Sequence, residues 1–524
     1  MTPGRRTFIK QAGYSAIGLG LMPLLQQCHT KQESSPGADL MRVSPESQGV
    51  SSTGILDFLK AANDCSFEWH SYMLLRHGKV ISEGWWAPFA PAYKHTLYSL
   101  SKSFTSTAVG FAIEEGHLKL EDKVISFFPD QLPEEVSDHL KEMDIRDLLT
   151  MNTGHETDSF GAILKAYDTS WISTFLAFPV EHAPGSKFTY DTGATYMLSA
   201  IVQKVTGEML ENYLKPRLFD PLGINDYDWE KSPDGINTGG FGLRLTTESI
   251  ARFGQLYLQN GEWQGKQVVP ADWVKEATSK QVDSNPGDSQ WSQGYGYKFW
   301  RCKPSGAYRG DGAYGQYCIV MPEQDAVLAV TSESWDMGLS MDIMFDHLLP
   351  AFSDKPLDKN KADAEKLITT NANLRLPVPR LSTTSYMTTS LKDKVFQLED
   401  NEFGIKSLAF DFENDQCSWT WKTENNSSRL TAGMEAWHLN EQEVPNFFPV
   451  FFRTTTPSKI AATATWAGDT ALQVNLKWVE AIHGDQFQFF FDRDMVEIKM
   501  LNSVAAHDDN ERNHERRPML RGQL

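Results

Sequence analysis

Hydrophobic residues recur along this chain with two different periods. Leu100, Phe104, Ala108, Val109 and Phe111 stand at helical spacing in a run that opens at Ser99 and is closed by Gly116, which predicts a helix to about Glu115. A second helical run is expected from Ala194 to Val205. Further on the period becomes two: Leu408/Phe410/Phe412, Cys417/Trp419/Trp421, Leu472/Val474/Leu476/Trp478 and Phe487/Phe489/Phe491 alternate with polar neighbours. Such alternation predicts half-buried strands, and turn residues at Glu413-Asn414-Asp415 and Gly468-Asp469 separate them at hairpin spacing. The expected organisation is a helix-and-strand domain over residues 40–352, a polar linker over 353–380 carrying Pro356, Pro377 and Pro379, an antiparallel β domain over 381–504, and a charged, disordered tail over 505–524.

The first 39 residues have a different pattern. Arg5, Arg6 and Lys10 precede an uncharged stretch from Ala12 to Leu25, which is too short to span a bilayer and is interrupted by Gly13, Gly18, Gly20 and Pro23. Arg5-Arg6-Thr7-Phe8-Ile9-Lys10 resembles a twin-arginine export motif, and Leu25-Gln26-Gln27-Cys28 resembles a lipoprotein cleavage site. The expectation is a protein exported to the periplasm or held at the bacterial envelope by a lipid on Cys28.

Composition then narrows the function. The 524 residues carry a net charge of −19, which repels phosphate backbones and argues against nucleic acid as a partner. Five cysteines with no CxxC pair make neither a disulfide scaffold nor a structural zinc site, although Cys302 and Cys318 flank one segment closely enough to be a candidate pair. There is no GxSxG, HExxH, P-loop or EF-hand loop. The single GxGxxG, Gly310 to Gly315, leads into the strand-like Gln316-Tyr317-Cys318-Ile319-Val320 where a dinucleotide site needs a helix.

What remains is Ser99-Leu100-Ser101-Lys102, the only SxxK in the chain. A serine and a lysine three apart share one helix face, so the amine can take the hydroxyl proton as the oxygen attacks a carbonyl. That role needs the lysine pKa depressed by about three units, roughly 4 kcal/mol, through burial or nearby cations. Tyr190, in Tyr190-Asp191-Thr192-Gly193 ahead of the second helical run, is a candidate to share the proton.

These residues carry a family resemblance. Tyr98 to Thr105, Asp147 to Gly154, Phe188-Thr189-Tyr190, Pro221-Leu222-Gly223-Ile224, Gly242-Leu243-Arg244-Leu245, Ala251 to Tyr257 and Gly312 to Tyr317 stand in order and spacing similar to the class C β-lactamase, D-alanyl-D-alanine carboxypeptidase and carboxylesterase group of serine hydrolases. The resemblance implies an α/β fold, a mixed sheet flanked by helices with an inserted helical lobe. It implies Ser99 as acylated nucleophile, Lys102 as general base and Tyr190 in the proton relay. The backbone amides of Ser99 and Ala313 would form the oxyanion hole, and Thr192, Gly312 and Tyr314 would face substrate. No metal or organic cofactor is needed for such acyl transfer.

Two departures bear on the substrate. Thr192 stands where penicillin-recognising members carry Asn, and Gly310-Asp311-Gly312 stands where they carry Lys-Thr-Gly or His-x-Gly, so the third motif brings Asp311 in place of a cation, with Arg309 two residues away. The pattern is closer to the branch with esterases and aminohexanoate-oligomer hydrolases. The reading is thus a hydrolase of small-molecule esters or amides. A D-alanyl-D-alanine carboxypeptidase or β-lactamase-like cell-wall enzyme, and a catalytically silent binding protein on the same scaffold, remain as alternatives. His95, four residues before Ser99, reads as an ordinary core or surface histidine, and Trp85, Trp86, Trp291, Trp300 and Trp335 are left unassigned.

Overall fold

The computed structural model describes residues 40–166, 169–379, 381–441, 459–507 and 514–524. The segment expected to be an export signal, with Cys28, lies outside the described residues. Residues 40–524 pack as one unit. Helix α1 (Ser52–Asp64) leads into β1 (Glu68–Arg76) and β2 (Lys79–Trp85), and the next strands of the same sheet come only after a largely helical insertion. That insertion carries α2 (Ser101–Glu114), α3 (Thr192–Thr206) and α4 (Thr247–Leu258). The sheet resumes with β3 (Trp300–Arg301), β4 (Tyr308–Gly312), β5 (Gln316–Met321) and β6 (Ala326–Glu333), followed by α5 (Met337–Leu348).

The six strands are ordered β2-β1-β6-β5-β4-β3 and pair antiparallel, so the mixing in this fold is of helices with strands and not of strand directions. The central strands are buried on both faces. Tyr72 and Leu74 of β1 pack with Ile55, Phe58 and Met344 of α1 and α5, while Met73 and Leu75 join Phe104, Ile250 and Phe253 of α2 and α4. Continuous apolar strands of this kind are what a sheet covered on both sides requires. The helix-flanked sheet and inserted helical lobe implied by the resemblance are present.

The stretch expected to be a polar linker departs from that reading. It contains α6 (Lys361–Ala372), and Leu367, Leu374 and Leu376 bury themselves against the α1 side of the first core. One fully buried residue in twelve leaves almost no helical period, and the prolines at its edges dominated the pattern.

The C-terminal antiparallel β domain forms as expected. Its strands are β7 (Val395–Leu398), β8 (Ser407–Glu413), β9 (Gln416–Lys422), β10 (Ser427–Gly433), β11 (His438–Asn440), β12 (Ile460–Trp466), β13 (Ala471–Trp478), β14 (Gly484–Asp492) and β15 (Met495–Asn502). The alternating residues fill its interior, with Trp419, Trp421, Phe487 and Phe489 among those buried. Asn414 and Asp415 both take positive φ, the backbone a two-residue hairpin needs. The tail also departs from expectation: after the short helix α7 (Ser503–His507), β16 (Leu520–Gln523) inserts between β7 and β15, with Leu520 in the interior. A pairing of β10 with β12 closes the sheet into a barrel-like ring.

Candidate active site

The chain turns sharply at Tyr98, whose φ of 46° is left-handed, and a single 3-10 turn, Tyr98–Leu100, delivers Ser99 to the N-terminal end of α2. Strand β4 lies directly against this turn. A Cβ on Gly312 would fall 2.1 Å from the Leu97 carbonyl oxygen, and one on Gly310 would fall 2.4 Å from Leu100 Cδ1. Gly312 therefore needs glycine, because the Ser99 turn and the strand meet there backbone to backbone, whereas at Gly310 the space is filled by the side chains of Leu100 and Ser103.

Lys102 is 1 % exposed. Its Nζ stands 2.8 Å from Ser99 Oγ, 2.8 Å from the Gly240 carbonyl oxygen and 3.3 Å from Thr192 Oγ1. A neutral amine has two N–H donors and one lone pair. With the donors directed to Gly240 and Thr192, the lone pair faces the serine hydroxyl. Burial pushes Lys102 down to about 8, while the carboxylates of Asp158, Asp191 and Asp311 oppose that shift.

Burial, then the charge of Asp311, raises the Tyr190 phenol above the usual range, and the Ser99 hydroxyl works against that shift. Lys102 Nζ lies 5.0 Å from the centre of the Tyr190 ring, which stacks on Trp300 at 5.6 Å. Tyr190, distant in sequence, is thus brought beside the Ser99–Lys102 pair. Thr192, expected to face substrate, instead reaches Lys102, and its 9 % exposure leaves little of it to touch a ligand.

Ala313 sits in the turn between β4 and β5, next to Gly312, which packs against the backbone of the Ser99 turn. Its carbonyl accepts from Gln316 Nε2 at 3.1 Å, which pins the turn, and Tyr314 and Gly315 complete it with positive φ. Gly312 is the contact surface of this turn with Leu97, and the Tyr314 ring flanks Tyr98 at 5.4 Å.

A buried polar layer supports Tyr190 and Thr192. Asp191 is fully buried and caps α3 through the amides of Gly193 and Ala194, accepts from Ser159 Oγ at 2.7 Å, and faces His155 Nδ1 at 2.7 Å. Burial works to raise Asp191, but His155 and Ser159 hold its carboxyl below the usual range. Asp158 takes the Thr192 amide at 3.0 Å, and desolvation followed by the charge of Asp191 pushes it up to about 6. Lys298 is a second buried amine, with Nζ 3.0 Å from Met151 Sδ; burial, then the charge of Lys102, lowers it well below the usual lysine range. His155, Asp158, Ser159 and Lys298 carry no motif of their own, so sequence reading missed them.

The third motif supplies no free cation. Arg309 Nε donates to Asp311 Oδ2 at 2.9 Å, Trp291 Nε1 donates to the same oxygen at 2.9 Å, and Arg309 is fully buried. His95 is a core residue, its Nε2 2.8 Å from His70 Nδ1. Cys302 and Cys318 are both free thiols: Cys302 lies against Arg309, and Cys318 points toward the Ile250 carbonyl on α4. Glu68, His70 and Glu333 place ligand atoms within 4.8 Å of one another, and the cation they share is the Lys477 ammonium, 2.6 Å from Glu68 and 2.8 Å from Glu333.

A model of the beta-lactamase family matches residues 70–349. The chain is 27% identical over 292 residues to the 6-aminohexanoate-dimer hydrolase of Paenarthrobacter ureafaciens, covering 51% of this chain and 72% of that protein. It is 23% identical over 257 residues to a beta-lactamase of Escherichia coli (strain K12), covering 42% of this chain and 62% of that protein. Among solved structures, the octameric penicillin-binding protein homologue from Pyrococcus abyssi aligns with a TM-score of 0.47 at 15% identity, covering 89% of this chain and 99% of that one.

Proposed function

Because the chain belongs to the beta-lactamase family, we propose that it is a serine hydrolase that cleaves a neutral ester or amide through an acyl-enzyme on Ser99. The observation that carries this reading is the 2.8 Å approach of a buried, pKa-depressed Lys102 amine to the Ser99 hydroxyl. In the acylation step Ser99 Oγ bonds to the substrate carbonyl carbon while its proton passes to Lys102 Nζ. The amides of Ser99 and Ala313 receive the oxyanion, and each such donor contributes roughly 3 kcal/mol. Collapse of the tetrahedral species breaks the bond to the leaving group, which takes the proton back through Lys102 and Tyr190. Water then repeats the sequence in reverse and frees the acid.

Neutral substrates are favoured over carboxylates because Arg309 is already committed to Asp311. This supports an esterase or amidase reading over cell-wall carboxypeptidase action. The N-terminal segment is proposed to direct the enzyme out of the cytoplasm.

A fluorophosphonate probe tests the nucleophile: intact mass is expected to rise by one adduct, mapped to the peptide containing Ser99. An adduct on another residue, or none, would overturn the assignment. The pH profile tests the base. Only the neutral amine accepts the proton, so kcat/KM for a chromogenic ester is expected to rise with pH through about 8 and level off above it. A profile flat across that range would remove Lys102 from the role.

A further inference from the structure

The turn that presents Ser99 is held from the other end of the chain. Tyr98 is a non-glycine residue in a left-handed conformation, a geometry that persists only where the surroundings enforce it. Its hydroxyl stands 2.7 Å from Nε2 of His483, which lies in the 479–483 loop joining β13 to β14 of the β domain. We propose that His483 is a positioning residue for catalysis, fixing the Ser99 turn through Tyr98, so that the C-terminal β domain completes the active site. The inference rests on Ser99 being the nucleophile.

The far end of this link sets the role of Nδ1. His483 Nδ1 lies 2.8 Å from Glu333 Oε1, at the end of β6. Glu333 is fully buried, yet Lys477 at 2.8 Å and His483 itself hold its carboxyl well below the usual range, and Ser503 Oγ at the start of α7 donates to it as well. An ionised carboxylate can only accept, so Nδ1 carries a proton, and in the neutral imidazole Nε2 then offers its lone pair to the Tyr98 hydroxyl. Burial keeps that phenol protonated, its pKa raised well above the usual value.

The same imidazole touches the residue next to the second expected oxyanion donor. The ring of Tyr314, the residue after Ala313, meets His483 edge-on at 4.6 Å and Tyr98 at 5.4 Å. Tyr314 also has positive φ. One side chain from the β domain therefore braces the neighbours of both amides. Misplacing such a site by about 1 Å costs on the order of 10²-fold in rate.

Full-length variants test the assignment, read by ester turnover, fluorophosphonate labelling rate and Tm. His483→Ala is expected to lower kcat and labelling rate about 10- to 100-fold with little change in KM. His483→Gln, whose amide oxygen can take the place of Nε2, should recover most of the loss, and Tyr98→Phe should lose as much as His483→Ala. The double variant should be no worse than either single one, since both break the same link. If His483→Ala fails to fold, Tyr98→Phe, which removes one oxygen, decides the question alone. Wild-type kcat in Tyr98→Phe, or losses that multiply in the double variant, would overturn the proposal. If Ser99→Ala still turns over substrate, the nucleophile reading fails first; if Ser99→Ala is dead while His483→Ala is fully active, only the role of His483 fails.

Discussion

Replacing Ser99 by alanine is expected to cut ester turnover by a factor on the order of 10⁶ and to abolish fluorophosphonate labelling, with Tm nearly unchanged. The size follows from the chemistry: without Oγ no acyl-enzyme forms, and only the oxyanion amides and substrate binding remain to assist direct attack by water. The fold should tolerate the change because Ser99 is only half-buried and its side chain holds no structural partner beyond the site itself. A Ser99→Ala enzyme that binds substrate with an unchanged constant but shows no burst would place the loss in chemistry. Turnover within about tenfold of wild type would remove Ser99 from the mechanism.

Lys102→Met should have the next largest effect, a loss of about 10³- to 10⁴-fold in kcat. Methionine matches the length of the lysine stem and fills the same buried space, so packing survives while the base is removed. The rise in activity through about pH 8 should vanish from whatever rate remains. Stability provides a separate readout. The folded pKa of Lys102 lies below that of a free lysine, so between about pH 8 and the unfolded value the unfolded chain binds more protons, and wild-type stability rises with pH there. The variant should lack that increment. A Lys102→Met enzyme with near-normal kcat, or with the wild-type pH profile, would assign the base elsewhere.

Much of the fold was legible because it is local. The 3-10 turn and the helix that carry Ser99 and Lys102 follow one another directly, and alternation in runs such as Leu472 to Trp478 is a property of one strand. The pairing of Ser99 with Lys102 needed nothing more than three-residue spacing. Tyr190 was found by its place before a helix and by resemblance, not by any contact readable in advance. The supporting layer was out of reach: Asp191 meets His155 and Ser159 more than thirty residues away, and His483 meets Tyr98 across 385. Pairs of that kind leave no period and no motif. The 353–380 stretch misled for the opposite reason, since α6 buries so little of itself that its polar surface read as loop.

Strand β16 has a consequence for how the molecule assembles. Its neighbours β7 and β15 cannot be bridged until the Leu520–Gln523 segment arrives, so ring closure waits for a contact between the domain's opposite extremities. Pairings of such wide separation close slowly, because the intervening chain must first give up its freedom. Until then the seam on either side of β16 exposes unmatched amides and carbonyls, and the newly made polypeptide is at its most vulnerable to sticking to its own kind.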